Sequence, residues 1–194
     1  NRPSPSQRGF DMEEIRVITK GADLLKIGPK TFKDFITPFV KERAQLSILK
    51  APTLAQELAW LKMQAAGLDK NQQFFVLLFI NSKLAGNCDI RRKEPQAQSS
   101  NVHFGLAVSK PYRGMGWGEK LLRIAIAEAK KRFKPHRMWI EYCEGNAPAR
   151  RLYQKVGFVE FARLDEYVDY FGQWRDSVLM QYKPARKTNS SRKR

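Results

Sequence analysis

Glycine alternates at Gly114, Gly116 and Gly118, where an apolar run gives way to a helical pattern. Ahead of it Asn101–Val108 reads as a strand, which Ser109-Lys110-Pro111 ends because proline cannot donate to a ladder. Behind it Leu121, Leu122, Ala125, Ile126, Ala129 and Phe133 recur at helical spacing, predicting a helix over Gly116–Phe133. A strand feeding such a turn and then a helix aims several backbone N–H groups at one point, and the helix dipole adds positive potential there. Glycine lets the backbone approach a bulky anion with no Cβ between them. Arg113 adds a planar charge suited to phosphate oxygens. The stretch reads as a phosphate cradle. It is not a P-loop, since Gly118-Glu119-Lys120 lacks the closing Gly-Lys-Ser/Thr, and the glycine spacing departs from the dinucleotide fingerprint.

The rest of the chain alternates strands and helices. Glu14–Thr19 is β-branched and predicts a first strand. Thr31–Arg43 has helical spacing, with Pro38 expected to kink or break it. Ala51–Gly67 predicts a helix that opens at Pro52-Thr53 and stops at Gly67, with Leu54, Leu58, Leu61 and Met63 as its apolar stripe. Gln73–Ile80 and Leu84–Arg91 read as a hairpin turned at Asn81-Ser82, and Lys93–Ser100 as a polar loop. Met138–Cys143, Asn146–Lys155, Phe158–Arg163 and Ser177–Tyr182 follow as strand, helix, strand and strand. A single domain over residues 10–183 is expected, between a disordered tail at 1–9 and a basic flexible tail at 184–194.

Charge and cysteine usage narrow the partners. The formal net charge is +17, and from Lys183 onward six cations occur with no acid. That excess suits a polyanionic ligand and non-specific attraction to nucleic acid or ribosomes. No apolar run approaches the roughly 18 residues of a membrane span, so no membrane partner is expected. The opening residues carry no secretory apolar segment, and a cytoplasmic protein is expected. Cys88 and Cys143 sit in apolar strands and read as buried free thiols rather than a disulfide or a catalytic thiol.

Three ordered motifs carry a family resemblance. Arg113-x-x-Gly116-x-Gly118 resembles the acetyl-CoA pyrophosphate loop of the GNAT superfamily of N-acetyltransferases. Asn146-Ala-Pro-Ala-Arg-Arg-Leu-Tyr-Gln-Lys-Val-Gly-Phe158 matches that superfamily's N-x-x-A-x-x-L-Y-x-x-x-G-F segment at every defined position. Phe171-Gly-Gln-Trp-Arg-Asp176, with Met180 after it, is similar to the ending of the branch that acetylates polyamines and ribosomal-protein N-termini. The resemblance covers Val102–Tyr182.

What the resemblance implies is specific. The fold would be α/β (α+β): a central mixed, mostly antiparallel twisted sheet of about six to seven strands with a splayed parallel pair, flanked by about four helices. The activity would be direct transfer of acetyl from acetyl-CoA to a primary amine: a peptide N-terminus, a polyamine or another small amine. Leu106, Ala107 and Val108 would meet the pantetheine, and Arg113, Gly114, Met115, Gly116, Trp117 and Gly118 the pyrophosphate. Asn146 would bond CoA or cap its helix. Tyr153, at the position of the usual general acid, would protonate the departing thiolate. Some relatives place a glutamate base where this chain has Val102, which leaves His103 and Glu141 as candidates. An α-amine, with a pKa about 7.7–8.0, needs less help from a base than a lysine amine. A polyamine would need acidic groups, and Asp165, Glu166 and Asp169 are the tight acidic cluster available. No metal is expected, and a second copy of the chain, as a homodimer, is a further possible partner. The alternative function is a non-catalytic CoA-binding module that docks on RNA or ribosomes through the basic tail.

Overall fold

A computed structural model describes residues 12–46, 48–92 and 96–183. The expectations for tails at 1–9 and 184–194 concern residues outside these. Twelve main elements follow in order: β1 Glu13–Ile18, α1 Gly21–Ile27, α2 Pro29–Lys41, α3 Leu54–Asp69, β2 Gln73–Ile80, β3 Lys83–Arg92, β4 Asn101–Val108, α4 Trp117–Phe133, β5 Arg137–Cys143, α5 Ala147–Val156, β6 Phe158–Tyr170 and β7 Gln173–Tyr182. The strands form one seven-stranded sheet in the order β1-β2-β3-β4-β5-β7-β6. Only β4 and β5 run parallel; the other neighbours are antiparallel. The sheet and its parallel pair are those the resemblance implied, with five α-helices where about four were expected. Among the described residues no helix is long and apolar enough to cross a membrane.

Burial explains the strand lengths. All of β2 is buried, so Phe74 to Ile80 form an unbroken apolar run, as a central strand covered on both faces requires. Helix α4 turns Leu121, Leu122, Ala125, Ile126, Ala129 and Phe133 inward, the stripe read from its sequence. It comes close to the sheet because Gly86 of β3 has no side chain. A Cβ there would stand 2.8 Å from Leu121 Cδ1.

Four sequence expectations are corrected. Helix α1 was not foreseen; it has only seven residues and no side-chain cap. Helix α2 runs unbroken through Pro38. The carbonyl that proline leaves without a donor belongs to Asp34, and both residues are exposed, so water can serve it. Helix α3 is capped by a Thr53–Gln56 box and passes Gly67. That glycine admits Gln73, whose Nε2 would lie 2.7 Å from a Cβ. The inward face of α3 is Glu57, Leu61, Gln64, Ala65 and Leu68, while Leu54, Leu58 and Met63 are exposed. Finally, β6 and β7 extend into a long hairpin turned at Phe171 and Gly172, both with positive φ, as a type I′ turn needs.

Leu121→Ala should destabilise the fold by about 2–5 kcal/mol, since it opens a cavity at a fully buried site over Gly86. Denaturant unfolding with an unchanged m-value would measure the loss.

Candidate active site

The ladder between β4 and β5 runs from Asn101↔Arg137 to Phe104↔Ile140 and stops, although β4 continues to Val108 and β5 to Cys143. The strands part there. The wedge between them is a cleft of about 670 Å³, walled by Gly105, Leu106 and Val108 on one side and by Glu141, Tyr142 and Cys143 on the other. Past Phe104 the β5-facing backbone groups of β4 have no ladder partner among the described residues. An extended ligand can therefore pair with them as a strand would.

The glycine turn closes one end. Gly114 and Gly116 have φ of 78° and 87°, and Gly116 is the N-cap of α4, with no side chain capping the helix. A Cβ on either would meet no atom within 4 Å. The space above the turn is open, and the glycines are required by backbone conformation. Gly118 serves packing instead, because a Cβ there would stand 3.0 Å from Leu152 Cδ2 of α5. All three glycines line the cleft. The cradle thus suits a pyrophosphate held by N–H groups at a helix N-terminus.

Not every expected side chain points into the cleft. Leu106 and Val108 line it and Ala107 does not. Met115 lies outside it, and Trp117 is turned into the core, with Lys120 Nζ 4.7 Å from its ring. Arg113 lines the cleft, but its charge is engaged by protein. Its Nε donates to the Val108 carbonyl at 2.7 Å, its Nη2 pairs with Glu42 at the end of α2, and its guanidinium lies 5.1 Å from the Phe39 ring. Arg113, the arginine expected on phosphate, ties the turn to α2 through these bonds.

Tyr153 projects from α5, buried, between Tyr142 and Phe158, each ring 6.2 Å away, and it lines the cleft. Burial pushes its phenol well above the ordinary value, and negative charge at Cys88 and Glu141 acts in the same direction. The Tyr153 phenol therefore keeps its proton throughout the physiological range. Asn146 caps α5, its Oδ1 accepting from Ala149 N at 3.2 Å, and also lines the cleft. Both roles considered for it remain compatible.

The parallel pairing brings the two base candidates together. His103 of β4 and Glu141 of β5 line the cleft with Nε2 and Oε1 3.8 Å apart. Ser177 of β7 donates to Glu141 Oε2 at 3.3 Å, and the His103 ring lies 4.3 Å from that of Trp139. Val102, where some relatives have a glutamate, is fully buried in the core. Both cysteines are free. Cys143 lines the cleft, only partly buried, and burial pushes its thiol up, with Arg175 opposing and Glu144 and Asp176 assisting. A raised thiol is a poor nucleophile at neutral pH.

The far wall comes from elements whose role the sequence did not signal. Tyr170 donates its hydroxyl to the Arg43 carbonyl, joining the hairpin tip to the end of α2. Gln45 Nε2 donates to the Glu144 carbonyl at 3.4 Å. Arg163 gathers Glu144, Glu160 and Asp176, and those bonds hold it charged. The acidic cluster proposed for polyamines does not reach the cleft. Asp165, Glu166 and Asp169 are exposed and absent from its lining, and Asp169 Oδ1 accepts from Gly172 N at 2.8 Å within the hairpin turn.

Comparison with known proteins agrees with this geometry. The Acetyltransferase (GNAT) family profile matches residues 40–158. An N-alpha-acetyltransferase of Sulfurisphaera tokodaii is 32% identical over 75 residues, which is 39% of this chain and 43% of that protein. A probable spermine N(1)-acetyltransferase of Bacillus subtilis subsp. natto is 36% identical over 58 residues, 30% of this chain and 38% of that protein. The chain thus spans less than half the length of these two curated relatives. A Salmonella typhimurium protein described as an acetyltransferase, solved with its cofactor acetyl-CoA, superposes with a TM-score of 0.71 at 22% identity, covering 88% of this chain and 92% of that one.

Gly116→Val forces a β-branched residue into the left-handed region and should weaken CoA binding by about tenfold or more. Titration calorimetry giving wild-type affinity would exclude the turn as the pyrophosphate site.

Proposed function

Because the chain belongs to the Acetyltransferase (GNAT) family, we propose that it is an N-acetyltransferase that moves acetyl directly from acetyl-CoA to a primary amine. The observation that carries this reading is the placement of Tyr153 and Glu141 on one cleft, closed at its end by the glycine turn. Acetyl-CoA supplies the activated acetyl thioester, and the open cradle over Gly114 and Gly116 fits its pyrophosphate. The unpaired edge of β4 from Gly105 to Val108 would carry the pantetheine, and its N–H groups would hold the developing oxyanion. Glu141 takes the amine proton at a carboxylate oxygen, directly or through water, with Ser177 and His103 fixing its orientation. Tyr153 gives its phenolic proton to the departing sulfur. Burial raises the proton affinity of tyrosine and thiolate alike, so the transfer stays within reach of a general acid. Cys143, raised and protonated, has no part in a covalent route.

The non-catalytic alternative gives no reason for a proton donor and a carboxylate to share the cleft. The finer surroundings belong to the same reading. Two free thiols suit the cytoplasm. The outer strand β6 exposes Val159, Phe161 and Leu164 and offers an edge for a homodimer. The six cations from Lys183 onward would add salt-sensitive attraction to RNA or ribosomes.

Tyr153→Phe should retain CoA affinity and lower kcat by roughly 10²–10⁴-fold. In the wild type, kcat should stay level up to about pH 9.5, since a phenol raised above its ordinary value of about 10 keeps its proton there. Activity unchanged in the variant, or a wild-type rate already falling below that pH, would remove Tyr153 from the mechanism. Glu141→Gln should cost kcat/KM a similar roughly 10²–10⁴-fold with CoA binding intact, by stopped-flow thiol release and calorimetry.

A further inference from the structure

Two carboxylates line the cleft, Glu119 and Glu141. Glu119 is held by Arg123 and Lys155, which leaves Glu141 as the lining carboxylate with no lysine or arginine partner among the described residues. Around the far wall Glu42 is engaged by Arg113, and Glu144, Glu160 and Asp176 by Arg163, while Asp165, Glu166 and Asp169 of the hairpin carry no such partner among the described residues but are exposed and outside the lining. The arginines there are not so balanced. Arg175 lies with its guanidinium 5.6 Å from the ring of cleft-lining Tyr170, and its Nη1 is 3.4 Å from where a Cβ on Gly145 would stand. Its Nη2 donates to the neutral Gln173 Oε1 at 3.0 Å. Arg43 lies 4.9 Å from the Phe171 ring. Neither has a carboxylate partner among the described residues.

A polyamine needs several carboxylates spaced along its path, and the cleft lining offers one without a cationic partner; Arg175 stands just outside the lining, cross-strand from cleft-lining Val168. We infer that the preferred amine carries its own carboxylate a few ångströms from the reacting nitrogen, and that Arg175 binds it. A peptide N-terminus followed by an acidic residue has this chemistry, and so has a free amino acid. The spacing fits the peptide. Arg175 and Ser177 share a face of β7 about 7 Å apart, and Ser177 donates to Glu141. One Cα–Cα step of about 3.8 Å plus a short side chain spans that distance from an α-nitrogen. Tyr167, which lines the cleft at the hairpin and is 63% exposed, offers a face for the peptide backbone. The inference rests on the transferase reading and fixes its acceptor class.

The test is steady-state thiol release from acetyl-CoA by the full chain, with C-terminally amidated peptides Ala-Asp-Ala-Ala, Ala-Asn-Ala-Ala and Ala-Lys-Ala-Ala, free alanine and spermidine as acceptors. The Asp peptide should exceed the Asn peptide by about tenfold in kcat/KM, through KM, the size of one charge-assisted hydrogen bond. Arg175→Lys should keep that order, Arg175→Gln abolish it and Arg175→Glu reverse it in favour of the Lys peptide; a merely structural role produces no reversal. Free alanine outrunning every peptide would assign Arg175 to an α-carboxylate. Transfer that ignores the second residue, or that favours spermidine, overturns the inference and leaves the transferase reading standing. No thiol release with any acceptor overturns both.

Discussion

The parting of β4 from β5 is the constraint on which the rest of the structure depends. Two parallel strands that begin paired at Asn101 and Arg137 lose their ladder after Phe104 and Ile140. Backbone groups left without partners inside a protein are costly unless something else satisfies them. Here they border a cleft, so a strand-like ligand can complete the sheet. The arrangement is held from both sides. Gly86 lets α4 lie close against β3, and β7 pairs with β5 along Trp139–Cys143, fixing the diverging strand from its other edge.

This geometry divides the site by chemistry. One side is mostly main chain: the edge of β4, the glycine turn and the start of α4. The opposite side is mostly side chains on β5, β7 and the β6–β7 hairpin. Arg113 links the halves. It bonds the Val108 carbonyl and the Glu42 carboxylate, so the turn and the end of α2 are joined through one guanidinium. Tyr170 adds a second tie, from the hairpin to the Arg43 carbonyl one residue further on.

What the sequence revealed follows the same division. The strand, turn and helix around Gly116 were legible because glycine and proline punctuate them and α4 has a regular inward stripe. Tyr153 and Asn146 were legible from a contiguous segment. The role of Arg113 was not, because Glu42 lies 71 residues away and nothing local marks the pair. His103 and Glu141 could be named separately, but their approach comes from a parallel ladder that pairs residues 36 positions apart. The inward face of α3 was misread because its buried positions include Glu57 and Gln64 while three apolar residues face outward. The long hairpin was shortened because most of β6 is exposed and carries no alternating pattern.

On the proposed reading, a donor site made of main chain and an acceptor site made of side chains set different conditions on substitution. The turn sets a backbone condition at Gly114 and Gly116, held at positive φ, while the Met115 side chain stays outside the cleft. The hairpin sets no such backbone condition at Tyr167 or Arg175. On that reading, redesign for a new amine can begin at the hairpin and leave the cradle untouched.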